Sequence, residues 1–302
     1  MAWSKMLGVA ELRAERPGLY AASLAGADSD GPAARCIAVD IGRTFPTVPL
    51  FHARGGIGQE ALRRVLTAYA VCDPEVGYCQ GMAFVAGVFL CYAPEEEAFL
   101  LLHAAMRRPS HQLRLMFLPG LGAVKASCRV VEALTRERAP RLAAHLESLS
   151  VVPEMWATSW LMTCFSTSTP FALTVRVWDC LAAEGFKPVL RTVMALLLRA
   201  GPRLRHCTME QALMVMRGLH EASFDADMGD EAAGAGADAP VDPGTPAEDA
   251  DGRRAKEAAE AAWRQGVLQP DALLRDAFAL RLTRGHLRAV SEAAAAGVSV
   301  PL

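Results

Sequence analysis

Apolar residues recur along most of this chain at the spacing of α-helices. Leu62, Val65, Leu66 and Tyr69 stand at i, i+3, i+4 and i+7 within residues 59–70, which puts them on one face of an amphipathic helix. Residues 82–92 are apolar on nearly every side and stop before Pro94; a helix of that kind is buried all round. The same reading predicts helices over residues 3–13, near Tyr20, and over 95–106, 121–138, 140–149 and 189–198, the last ended by Gly201-Pro202. Over 208–220, Thr208 is the expected cap and Leu213, Met216 and Leu219 the apolar face. Trp156, Trp160, Leu161, Cys164 and Phe165 fall on one helical stripe, an aromatic pattern that marks core. Helical spacing returns over 255–263 and 271–295, with Leu273, Leu274, Phe278 and Leu282 as the buried set. No stretch alternates as a strand does, so the expected fold is all-α, many short helices packed together.

Two segments break this pattern. Residues 37–46 read Ile-Ala-Val-Asp-Ile-Gly-Arg-Thr-Phe-Pro, and residues 73–82 read Asp-Pro-Glu-Val-Gly-Tyr-Cys-Gln-Gly-Met. Each sets one long polar side chain, Arg43 or Gln80, among small, apolar and turn-forming neighbours. Pro46 and Pro49 keep a regular helix from continuing through the first segment. Gly42 beside Arg43, and Gly77 and Gly81 around Tyr78 and Gln80, allow a backbone to approach another surface closely. Asp73 reads as an N-cap with Pro74 at the first helical position and Glu75 in the first turn, so a helix is expected to begin there and carry Gln80 near its start. Asp40 either holds the Arg43 guanidinium or caps a helical turn, while Thr44 and Phe45 read as supporting and packing residues. Gln80 alone could equally bridge buried backbone.

The chemistry of the pair is specific. A guanidinium is charged at any physiological pH and its planar fork matches phosphate oxygens. A carboxamide both donates and accepts, so it can hold a water and a phosphoryl oxygen together. Phosphoryl transfer depends mainly on positioning and charge stabilisation, and an arginine lent in trans to a GTPase is worth about 10³–10⁵ in rate.

Composition narrows the setting. The 302 residues, 52% hydrophobic, can bury a large core in one large domain or two smaller ones. A formal charge of −2 gives no reason to expect nucleic acid. Residues 225–252 hold nine acidic residues, no Lys or Arg and almost no large apolar residue, a composition expected to be disordered; the rest of the chain is mildly basic. None of the eight cysteines forms a C-x-x-C pair, and most lie in apolar runs, the pattern of free thiols in a reducing compartment. The start of the chain has no secretory leader pattern, and the longest apolar run, 82–93, is shorter than the roughly 20 residues needed to span a bilayer. A cytoplasmic protein is expected, reaching membranes only through partners, since no basic amphipathic helix stands out.

Ile37-x-x-Asp40-x-x-Arg43-Thr44-Phe45-Pro46 resembles the arginine-finger motif of the TBC domain family, the GTPase-activating proteins for Rab GTPases. Tyr78-Cys79-Gln80-Gly81-Met82 resembles that family's glutamine-finger motif, and order and separation are similar too. Arg176-Val-Trp178-Asp179 and the closing Glu184-Gly185 resemble a further family segment, in which Arg176 and Asp179 are expected to tie helices together. Trp3 resembles the Trp of the family's first helix, whose Arg partner would precede Met1; a truncated first helix is therefore expected. The resemblance implies a two-lobed, V-shaped helical domain over residues 1–224, with the acidic insert at 225–252 and terminal helices over 253–302 completing the second lobe. It also implies a partner, a GTP-bound Rab that brings its own GTP and Mg²⁺, no cofactor of the chain itself, and a division of labour between Arg43 and Gln80. Asp40, Thr44, Pro46, Tyr78, Cys79, Gly81 and Met82 are the supporting motif residues. A P-loop pattern is absent from the chain itself. Two other readings stand beside this one: a Rab-binding scaffold without activity, and a cysteine hydrolase pairing Cys79 with a histidine such as His103.

Overall fold

The helix expected over residues 3–13 is two helices, α1 (Ala2–Met6) and α2 (Val9–Glu15). Gly8 between them adopts a left-handed φ of 61°, which glycine accepts without steric cost, and its carbonyl accepts a hydrogen bond from Arg108 Nη2 at 3.0 Å. The computed structural model describes residues 2–28, 30–111, 113–218 and 250–294. After α3 (Leu19–Ala25), α4 (Pro32–Ile41) and the short α5 (Pro49–His52) comes α6 (Ile57–Cys72). Leu62, Val65, Leu66 and Tyr69 are fully shielded in it, as their spacing predicted. Helices α7 (Met82–Leu90) and α8 (Glu95–Arg107) follow. Together with α3 and α4 they pack around α6 to form a first lobe.

The second lobe is built on α13 (Lys187–Leu204), which packs against α9 (Gly122–Arg138), α11 (Ala157–Met162), α12 (Phe171–Glu184) and α16 (Pro270–Ala279). Around these lie α10 (Pro140–Ser148), α14 (Met209–Gly218), α15 (Ala250–Leu268) and α17 (Arg284–Ala294). Every regular element among the described residues is helical. The expected disorder of 225–252 lies outside the described residues, apart from 250–252, which open α15.

Trp3 joins the lobes. Its ring meets Phe89, Tyr92 and Trp178, and its indole N–H donates to Asp179 Oδ1 at 2.8 Å. Arg176 reaches Asp179 at 3.3 Å and Asp271 at 3.6 Å, so this cluster ties α1, α12 and α16 together. Gly185, at φ 83°, closes α12 and lies so near Ser110 that a Cβ there would stand 1.9 Å from the Ser110 carbonyl oxygen.

Four further expectations are corrected. The helix expected from Asp73 starts nine residues later, at Met82, because the Asp73 carboxylate is taken by distant arginines and Gly77, at φ 56°, turns the chain. The stripe from Trp156 to Phe165 is interrupted: α11 ends at Met162, and Cys164 and Phe165 take left-handed φ values of 47° and 69°. Both are still fully buried, so the pattern marked core correctly and helix incorrectly. Gly201-Pro202 does not end α13, which runs on to Leu204. Pro202 is solvent-exposed, while Gly201 and Leu204 on the other face are buried, so packing of that face outweighs the lost backbone bond. Phe278 is 40% exposed and lies under the Arg191 guanidinium, 5.2 Å from its ring centroid. The Thr208 cap is observed: its Oγ1 accepts from the Gln211 N–H while Gln211 Oε1 accepts from the Thr208 N–H. In α14, Met216 is buried and Leu213 packs against the core; Leu219 lies outside the described residues.

Candidate functional site

Arg43 and Gln80 each lie in the irregular chain that follows a helix, α4 for the first and α6 for the second. Helix α4 ends at Ile41, and Arg43 follows in the turn before Pro46. Asp40 sits in the last turn of α4, buried, with a carboxylate that serves two partners. Its Oδ1 accepts from Arg43 Nη2 at 2.6 Å, and its Oδ2 accepts from the Tyr78 hydroxyl at 2.5 Å. Its backbone carbonyl accepts from Thr44 Oγ1 at 2.8 Å. Asp40 thus binds the Arg43 guanidinium, and a cap role does not apply. The Arg43 side chain is 48% exposed and that of Asp40 6%, so one end of the pair is anchored and the other free to meet a partner. Burial, then the bond to Asp40, push the Tyr78 phenol well above its ordinary pKa; it acts only as a donor here.

Packing holds the turn after Arg43. Thr44 is buried, and Phe45, at φ 48°, places its ring against Phe51, Phe84 and Phe171 at centroid distances of 6.2, 5.4 and 6.0 Å. This approach requires Gly87, where a Cβ would come within 2.9 Å of the Phe45 ring. Pro46 is exposed, and its carbonyl lies 3.2 Å from His52 Nδ1 on α5. Nearby elements leave Val39, Leu50 and Ile57 exposed, Ile57 at 87%.

The glutamine segment rests on a buried carboxylate of its own. Asp73 accepts from Tyr69 Oη at 3.1 Å, from Arg114 Nε at 2.6 Å and Nη2 at 3.0 Å, and pairs with Arg107 Nη2 at 3.1 Å. Burial acts to raise its pKa, but the Arg114 hydrogen bonds and the Arg107 charge outweigh it and hold the carboxyl below its usual range. Arg114 also pairs with Glu75. The Gly77 N–H closes the turn onto the Asp73 carbonyl at 2.8 Å. Further on, the Met82 N–H donates to the Cys79 carbonyl at 3.1 Å, and the Cys79 N–H points at Met82 Sδ at 3.3 Å. Gly81, at φ 103°, starts α7, and Met82 is fully buried. Gln80 lies between these fixed points, exposed, and its carboxamide makes no hydrogen bond with another described residue. It neither caps α7 nor bridges buried backbone.

A cysteine hydrolase is not assembled here. Burial pushes the Cys79 thiol up in pKa, away from the reactive thiolate. His103 is buried with both ring nitrogens unpartnered, so it forms no hydrogen bond to Cys79. Among the described residues, no group of three or more His, Cys, Asp or Glu side chains is placed to hold a metal ion, and no helix is long and apolar enough to cross a membrane.

The sequence pointed to Arg43, Gln80, Asp40 and Tyr78, and the structure brings Arg43, Asp40 and Tyr78 into one hydrogen-bonded chain, with Gln80 two residues beyond. Sequence reasoning missed Arg107, Arg114 and Tyr69, which fix Asp73. The only signal was an Asp-Pro that fitted a helix cap equally well.

The chain is a two-lobed all-α domain that exposes an anchored guanidinium and an unbonded carboxamide. Residues 2–204 match the profile of the Rab-GTPase-TBC domain, and the chain belongs to that family. It is 35% identical over 194 residues to the human ecotropic viral integration site 5 protein homolog, covering 64% of this chain and 24% of that protein. It is 36% identical over 191 residues to the Rab GTPase-activating protein eat-17 of Caenorhabditis elegans, covering 63% and 21%. The chain thus spans less than a quarter of the length of either of these two relatives. Among solved structures, the Chlamydomonas flagellar RabGAP TBC domain superposes with a TM-score of 0.63 at 27% identity, over 72% of this chain and 73% of that one. The Ypt/Rab-GAP domain of Gyp1p shares the fold, with a TM-score of 0.60 at 18% identity over 71% and 79%.

Proposed function

We propose that this chain accelerates GTP hydrolysis by a Rab-family GTPase in its GTP-bound state, lending it Arg43 and Gln80. The observation that carries the reading is the shared carboxylate of Asp40, which links the Arg43 turn to the segment bearing Gln80 while both tips stay exposed. In the partner's nucleotide pocket the guanidinium offsets charge developing on the leaving and transferred oxygens. The Gln80 carboxamide, with no bond of its own to break, orients the attacking water. GTP and Mg²⁺ belong to the partner. Exposed Val39, Leu50 and Ile57, on α4, α5 and α6, offer the partner apolar contacts, and the chain reaches Rab-bearing membranes through that partner.

The test is single-turnover GTP hydrolysis across a panel of purified Rab GTPases, with Arg43→Ala and Gln80→Ala beside the wild type. Acceleration of at least one Rab, lost in both variants, is the expected result. Binding to a GTP-loaded Rab without acceleration would replace this reading by the scaffold.

A further inference from the structure

The end of α8 and the turn after it read Arg107-Arg108-Pro109-Ser110. Ser110 is exposed, and the Arg107 and Arg108 side chains are 41% and 39% exposed. Arg107 pairs with the buried Asp73 at 3.1 Å, and Arg108 donates to the Gly8 carbonyl at 3.0 Å and lies 3.9 Å from Glu11; both side chains nevertheless stay open enough to meet a partner's carboxylates. Beneath the loop lies a polar relay. The Ser110 hydroxyl is 2.8 Å from His111 Nδ1, and His111 Nε2 is 3.2 Å from the Ala182 carbonyl on α12. A carbonyl only accepts, so Nε2 carries the proton and Nδ1 accepts from the hydroxyl. His111 itself is buried, and burial depresses its pKa.

We infer that Ser110 is a phosphorylation site for a serine/threonine protein kinase whose substrate groove is acidic on the N-terminal side of the acceptor. Two guanidiniums, two and three residues before an exposed serine, supply the charge such a groove reads. In the transfer, Ser110 Oγ attacks the γ-phosphorus of ATP. The Oγ–P bond forms, the bond to the β,γ-bridging oxygen breaks, ADP leaves, and the hydroxyl proton passes to the kinase's base carboxylate.

The product changes the relay. The ester oxygen has no proton to give, so Nδ1 loses its donor. The oxygens of the dianion only accept, so His111 must take up a proton to bond them while keeping its bond to the Ala182 carbonyl, which turns a buried neutral ring into a cation paired with the phosphate. The phosphate also stands beyond the C-terminal end of α8, where only arginine pairing makes a dianion tolerable. Arg107 and Arg108 are the nearest cations in sequence, and recruiting Arg107 takes a charge away from Asp73 at the base of the glutamine segment.

The full-length chain, incubated with ATP and an arginine-directed serine/threonine kinase catalytic subunit, tests this. Expected are one phosphate per chain, placed on Ser110 by tandem mass spectrometry, and its loss in Ser110→Ala. Arg107→Gln and Arg108→Gln should each slow incorporation by roughly tenfold or more, the worth of one charge-assisted hydrogen bond. Running the same substitutions in a synthetic peptide of residues 104–114 separates recognition from folding. In ¹⁵N NMR, the His111 titration should move to higher pH after phosphorylation. Phosphate on the peptide but not the folded chain, phosphate elsewhere in the chain, or none on either overturns the site; an unmoved His111 titration overturns the relay.

Discussion

Tyr78 donates its hydroxyl proton to Asp40 across 38 residues of sequence, at 2.5 Å. The same carboxylate holds Arg43 on its other oxygen at 2.6 Å. Replacing Tyr78 by Phe leaves a buried acceptor unmet, which costs about 1–3 kcal/mol. Urea denaturation should show that loss, and single-turnover Rab assays should show slower hydrolysis, since the bond tethers the Arg43 turn to the glutamine segment. Wild-type activity in Tyr78→Phe would separate the tether from the function.

Arg43→Ala should lower Rab activation by about 10³–10⁵-fold and, because it leaves one oxygen of the buried Asp40 carboxylate unmet, cost about 1–3 kcal/mol of stability. Gln80→Ala breaks no hydrogen bond and should leave stability within about 0.5 kcal/mol of wild type, yet reduce activation. Paired denaturation and kinetic measurements make the contrast visible.

Gly87→Ala puts a methyl within 2.9 Å of the Phe45 ring. Overpacking of this kind costs about 1–3 kcal/mol. Because Phe45 is two residues from Arg43, activation should fall as well, read as a lower kcat/KM for a responsive Rab.

His103 gives a pH dependence with a defined sign. Burial first, then the Arg107 and Arg16 charges, lower its pKa from 6.5 to about 4. Between those values the unfolded chain binds a proton that the folded chain refuses, so stability rises with pH through that window and is lost as pH falls. The full effect is on the order of 3 kcal/mol. His103→Leu should flatten the slope of unfolding free energy between pH 6.5 and 4. Asp73, with its folded pKa depressed, adds a loss at lower pH, below the ordinary carboxylate range, which Asp73→Asn should remove at the cost of stability at neutral pH.

Local pattern made legible whatever is decided locally. The buried face of α6 and the all-apolar α7 follow from spacing and residue type, the closing Gly185 came from the family resemblance, and the two polar segments stood out by composition. Long-range chemistry was not legible. Asp73-Pro74 fitted a helix cap until Arg114, 41 residues away, claimed the carboxylate. Cys164 and Phe165 kept helical spacing while the backbone turned left-handed, because burial can be met without regular structure. Phe278 had the right period yet stays half open to solvent, its ring covered by a cation from another helix. That Asp40 would serve both Arg43 and Tyr78 was likewise invisible, since nothing in either segment names the other.

A carboxylate with both oxygens committed also limits how such domains can be recombined. Grafting the arginine turn from a relative without its tyrosine-bearing counterpart would strand one hydrogen-bond partner inside the protein. The two stretches therefore have to be transplanted as a single cassette, and libraries that vary them independently should return mostly inactive chimaeras.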